Sequence, residues 1–82
     1  MQEQEIFQKL ITIVSPFAKD KNALTKISNE SNFLKDLQVS SSRLVDIILG
    51  MEDQFNIEIR DDEADKVETV GAAVTLIKSK LQ

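Results

Sequence analysis

Ser40-Ser41-Ser42-Arg43-Leu44-Val45-Asp46-Ile47-Ile48-Leu49-Gly50-Met51-Glu52-Asp53-Gln54-Phe55 is the stretch on which the fold turns. Leu44, Ile48, Met51 and Phe55 recur at the spacing of one helical face, and Val45 and Leu49 widen it. The serines are expected to supply the N-cap, because a serine oxygen can accept from an otherwise unpaired N–H of the first turn. Asn56 is expected to end the helix. No histidine or cysteine stands anywhere in the chain to activate a serine, so chemistry on one of them must be done by another protein.

Working outward towards the N-terminus, residues 19–38 lose the helical period. Leu24, Ile27, Phe33, Leu34 and Leu37 are scattered among Lys, Asn, Ser, Thr and Glu. This reads as a long connecting loop containing a helical turn, with its apolar residues tying it to the core. Connections of that length are uncommon in compact domains and are often functional. Before it, Ile6, Phe7, Leu10, Ile11, Ile13 and Val14 form an amphipathic helix over residues 3–14, and Phe17 and Ala18 continue its face. Pro16 lacks the N–H that would bond the Thr12 carbonyl. The helix therefore kinks there or ends, and an end near Ser15 is favoured.

Towards the C-terminus, Ile57-Glu58-Ile59 is a short extended step. Asp61, Asp62 and Glu63 stand where a short helix begins, matched to the positive end of its dipole. Thr69 caps a last helix with apolar residues Val70, Ala73, Val74, Ile77 and Leu81, and Lys78 and Lys80 lie near its negative end. Three longer helices, one short helix and a long first loop predict an all-α, four-helix bundle. It is expected to form a single domain over residues 1–82.

Composition narrows the function. A chain of 82 residues buries roughly 60–65% of its unfolded surface, enough for one small core. Without Cys or His it has no disulfide, no Cys/His zinc site and no Ser-His-Asp or Cys-His catalysis. Activity as an enzyme is not expected. The net charge of −4 disfavours nucleic acid as a partner. The N-terminus lacks the basic start and apolar run of a signal peptide, and no apolar stretch approaches membrane-spanning length. The expectation is a cytoplasmic monomer without membrane insertion.

The charge is concentrated. Residues 36–68 carry ten acidic and three basic side chains, a net −7, between ends of +1 and +2. The bland reading is a solvated face; the sharper one is a docking surface for basic partners. A calcium loop at residues 61–66 fails for want of the alternating aspartates and the central glycine.

Residues 36–42, Asp-Leu-Gln-Val-Ser-Ser-Ser, followed by Val45-Asp46-Ile47 and Glu52-Asp53-Gln54-Phe55, resemble the acyl carrier protein family. The family pattern runs Asp-Leu-Gly-x-Asp-Ser-Leu, then Val-Glu-Leu, then an acidic run and Phe. Phe33-Leu34-Lys35 before the motif, and Asn56-Ile57-Glu58-Ile59, Asp61-Asp62-Glu63-Ala64, Lys66-Val67-Glu68-Thr69-Val70 and Ala72-Ala73 after it, are similar without a gap. The likeness extends from about Ile27 to Leu81. The first 26 residues match only as a helix and a loop.

The resemblance implies a carrier of acyl thioesters on a 4′-phosphopantetheine arm, donated by coenzyme A and joined to a serine by a phosphodiester. The register from Phe55, Glu52 and Val45 places that serine at Ser41, with Ser40 and Ser42 as alternatives. Implied docking residues are Asp46, Glu52, Asp53 and Glu58. Implied lining of the acyl pocket is Phe33, Met51, Ile59, Ala64, Val67 and Ala73, all of which also read simply as core. Implied partners are a phosphopantetheinyl transferase and acyl-processing enzymes, such as a ketosynthase or acyltransferase, with basic patches.

The departures are specific. Ser40 replaces the family's Asp, Ser42 its Leu, Arg43 an acidic residue, Gln38 its Gly and Arg60 a frequent Pro. They point to a specialised carrier rather than the housekeeping fatty-acid carrier. The alternatives are a carrier-like helical interaction module that is never modified, and an aminoacyl or peptidyl carrier.

Overall fold

The computed structural model describes residues 2–81, all within one helical array. Helix α1 spans Glu3–Val14, α2 Lys21–Thr25, α3 Ser41–Phe55, α4 Asp61–Ala64 and α5 Val70–Leu81. The three long helices are the expected ones. The expected four become five because α2 stands in the first loop. It is one short turn, held by Asp20, whose Oδ1 accepts from the Asn22 and Ala23 N–H groups at 3.1 and 3.2 Å.

Helix α1 ends at Val14 and does not kink. Ser15 N–H still reaches Ile11 O, and the chain then turns around Pro16 as Phe17 and Ala18 both donate to Val14 O. Its buried side chains, Ile6, Leu10 and Val14, pack against α3 and α5. Helix α3 contributes Ile47, Ile48, Met51 and Phe55, and α5 contributes Val70, Ala73, Val74 and Ile77. Leu81 at the end of α5 is exposed.

The buried face of α3 is rotated from the expected one. Ile47 takes the place expected for Val45 and Leu49, which are 58% and 57% exposed. The period of 3.6 allows either flank, and the partners of the face decide between them. Here α1 and α5 lie on the Ile47 side.

The first loop is ordered by three means. Phe33, Leu37 and Val39 are buried in the core. Asn32 Oδ1 accepts from the Leu34 and Lys35 N–H groups, while Asp36 accepts from Asn32 N–H at 2.7 Å. Finally, its backbone pairs with the start of α5: Phe33 N–H donates to Glu68 O, Val70 N–H to Ser31 O and Gly71 N–H to Asn29 O. At Gly71 the contact is so close that a Cβ would lie 2.8 Å from Asn29 O.

Thr69 caps α5 as expected, its Oγ1 accepting from Ala72 N–H at 3.1 Å. Asn56 ends α3 in the left-handed conformation, φ 54° and ψ 51°, which a short polar side chain tolerates.

Candidate functional site

The three serines occupy different positions at the start of α3. Ser40 is the N-cap residue and is half-buried. Contrary to expectation, its side chain makes no cap bond. Its carbonyl instead accepts from both Arg43 and Leu44 N–H, and its hydroxyl lies 3.4 Å from that of Ser42. Ser41 is the first helical residue and is exposed. Among the described residues its hydroxyl has no hydrogen-bond partner, and neither the Ser41 nor the Ser42 N–H has an acceptor. A phosphate on Ser41 would find unpaired donors and the positive end of a 15-residue helix.

Two hollows lie near the start of α3, and Ser41 itself lines neither. A cleft of about 340 Å³ opens under the serine end of α3, bordered by Leu34, Leu44, Ala64 and Val67 with polar Asn32, Lys35, Asp65 and Glu68. On the other side, a hollow of about 770 Å³ is bordered by Pro16, Phe17, Ala18 and Ser40 and by three cations, Lys19, Lys21 and Arg43. Lys21 Nζ donates to Ser15 O at 2.6 Å, and Arg43 pairs with Asp46 at 3.1 Å.

Of the six expected lining residues, Ala64 and Val67 border the open cleft. Phe33, Met51, Ile59 and Ala73 are buried in the packed core. The four expected docking carboxylates also divide. Asp46 is bound to Arg43. Glu52 is structural as well as charged: its Oε2 accepts from Ile59 N–H at 3.1 Å and fastens the segment that leaves α3. Asp53 and Glu58 are exposed and have no ion pair among the described residues.

The helical spacing brings together a stripe that sequence reasoning missed. Ser41, Val45, Leu49 and Asp53 succeed one another at intervals of four on the outer surface of α3. Two exposed apolar side chains thus lie between the serine and the free carboxylates. The signal was in the sequence, because α3 carries more apolar residues than one buried face uses.

Helix α4 is held by its own acidic residue. Glu63 Oε1 accepts from Arg60 N–H at 3.1 Å and from Lys80 Nζ of α5 at 2.8 Å. The Lys80 hydrogen bond, then the Arg60 N–H, hold the Glu63 carboxyl below the usual carboxylate range.

Comparison with known proteins shows the family and the fold. The family model described as "Phosphopantetheine attachment site" matches residues 8–77. An acyl carrier protein of Lactobacillus acidophilus is 46% identical over 80 residues, covering 96% of each chain. One from Guillardia theta is 40% identical over 82 residues, covering 99% of this chain and 98% of that one. The solved structure of the Enterococcus faecalis acyl carrier protein superposes with a TM-score of 0.79 at 35% identity, over 98% of this chain and 99% of that one.

Proposed function

The chain belongs to the acyl carrier protein family, and from that premise we propose that Ser41 bears the arm on which it carries acyl groups. Carriers of this family hold a covalently attached 4′-phosphopantetheine. When bound, it supplies the thiol that the chain lacks, so that acyl groups travel as thioesters.

One observation supports Ser41 over its neighbours. Ser40 is half-buried and the hydroxyls of Ser40 and Ser42 lie against each other, whereas Ser41 is exposed at the first helical position with an unpartnered hydroxyl among the described residues. In the modification, Ser41 Oγ forms a bond to the β-phosphorus of coenzyme A. Adenosine 3′,5′-bisphosphate leaves, and the serine proton passes to the transferase. The unpaired Ser41 and Ser42 N–H groups would offer donors to the phosphodiester's charge.

The rest of the chain serves recognition. Asp53 and Glu58 present free carboxylates to basic patches on partner enzymes, and Val45 and Leu49 supply apolar contact between them and Ser41. Glu52 contributes charge while fastening Ile59, and Asp46 is partly neutralised by Arg43. Partners are the transferase and acyl-processing enzymes, a ketosynthase or acyltransferase among them. The whole chain acts as one monomeric carrier domain in the cytoplasm and catalyses nothing itself. No described helix is long and apolar enough to cross a membrane.

The decisive measurement is an intact mass after incubation with coenzyme A and a broad-specificity transferase. A gain of one phosphopantetheinyl group in the wild type, lost in Ser41→Ala, is the expected result. A gain that persists in Ser41→Ala moves the site to Ser40 or Ser42. No gain in either favours the unmodified interaction module, for which the cation at Arg43 is the supporting observation.

A further inference from the structure

The hollow of about 770 Å³ beside Ser40 has no part in the reading above. Lys19, Lys21 and Arg43 border it, and all three are exposed. Two carboxylates stand near them, and both are engaged. Asp20 Oδ1 accepts from the Asn22 and Ala23 N–H groups, and Asp46 pairs with Arg43. Lys19 has no ion pair among the described residues.

The fold holds these charges in place from two segments. Asp20 N–H donates to Leu37 O at 3.4 Å, which ties the lysines to the strand of chain that enters α3. Lys21 Nζ donates to Ser15 O at the end of α1, where a cation suits the negative end of the helix dipole. Lys21 therefore has a structural use. Lys19 has none of that kind, and Arg43 has only its pair with Asp46. Those two side chains are 63% and 41% exposed, and an exposed pair of this kind is weak enough for a partner's carboxylate to replace Asp46.

We propose that this hollow receives an acidic segment of the transferase that modifies Ser41, while basic residues of the same enzyme meet Asp53. The inference rests on the carrier reading with Ser41 as the attachment point. Sign and width decide the occupant. A basic patch suited to Asp53 and Glu58 is repelled by Lys19 and Arg43. The hollow is also wider than one small anion fills, and its cations stand on two segments of chain, so several carboxylates on one protein surface match it better than a single phosphate does. Such charges at the rim of an interface act mainly on the rate of encounter and on its dependence on salt.

The test is to measure kcat/KM for modification by the transferase of the mass measurement as the carrier's charges are reversed one at a time. Lys19→Glu and Arg43→Glu are each expected to lower kcat/KM several-fold, mainly through KM, and the loss is expected to shrink at about 0.5 M salt. Lys66→Glu, which makes the same charge change on the exposed turn after α4, is expected to leave it unchanged. Backbone amide spectra of the full chain report on the surface without the enzyme. Capped hexaglutamate is expected to shift residues 17–21 and 40–43 and to slow modification of the wild type, whereas inorganic phosphate does neither. Equal shifts with inorganic phosphate make the hollow a small-anion site and overturn the proposal. A kcat/KM that rises in Arg43→Glu overturns it as well, because the enzyme then presents basic residues there. So does a kcat/KM unchanged in both variants, or a spectrum that hexaglutamate does not move. Failure of the Ser41 reading looks different: a mass gain that persists in Ser41→Ala moves the attachment while the charge variants and peptide shifts keep their expected pattern. With no mass gain in the wild type there is no transferase to receive, and the proposal falls.

Discussion

Gln38 carries a cost that its neighbourhood imposes. Its φ is 53°, in the left-handed region where a Cβ crowds the following carbonyl. The bend is fixed from both sides, because Leu37 N–H bonds Asn32 O and Val39 N–H bonds Phe33 O, placing Leu37 and Val39 in the core. The glycine of the family pattern at this position thus has a conformational reason. Gln38→Gly is expected to stabilise the fold by roughly 0.5–1 kcal/mol, the relief of strain less the extra freedom of glycine when unfolded. Asn56→Ala, at the left-handed end of α3, is expected to destabilise by about 1 kcal/mol. Urea midpoints that move in opposite directions with unchanged slopes would bear this out. Gly71 answers to a different constraint. A methyl group there meets Asn29 O, which is backbone, so Gly71→Ala is expected to cost about 1–3 kcal/mol and show as a lowered Tm. The glycine was plain in the sequence, whereas the carbonyl facing it came from a loop 42 residues earlier and left no local mark.

Among the elements, the long helices were legible because their apolar residues recur with the helical period and their ends carry punctuation: Pro16, Asn56 and Thr69. The single turn of α2 was legible only as a helical turn somewhere in the first loop, since five residues hold too little period to place it. Nor was the true rotation of α3, because Val45, Leu49 and Ile47 are equally apolar and only the packing of α1 and α5 separates them. Short α4 survives by its ties to other elements, the main one being the Glu63–Lys80 bond. A carboxyl whose folded pKa is depressed contributes stability above its unfolded pKa and loses it as the pH falls through the folded value. The Tm gap between wild type and Lys80→Met is therefore expected to be largest above about pH 5 and to narrow towards about pH 3. A gap that stays constant over that range would show that the pair does not stabilise α4 through its charge.

At the scale of the whole molecule, the proposed recognition surface is the outer face of α3. Leu49→Ala and Val45→Ala each remove an exposed side chain, so Tm is expected to change by less than about 0.5 kcal/mol in equivalent stability. Affinity for an acyl-processing partner is expected to fall by about 1–2 kcal/mol, near tenfold, as measured by calorimetry with the modified chain. The candidate serine was legible from register with Phe55, but not from its chemistry. Its exposure and unpartnered hydroxyl became visible only once the helix start was placed. The net charge was equally incomplete as a guide, since it says nothing of where on the helix each sign stands. Lys19 and Lys21 across the hollow, beside the Arg43–Asp46 pair, make the serine end of α3 the more cationic one, while Asp53 near its other end is anionic. Ten residues of helix separate them by about 15 Å, beyond the roughly 8 Å over which salt lets charges feel each other. The two ends therefore act as separate electrical addresses. A basic patch that arrives at the serine end meets cations instead of carboxylates, so on the proposed reading the helix sorts encounters by direction before any contact forms.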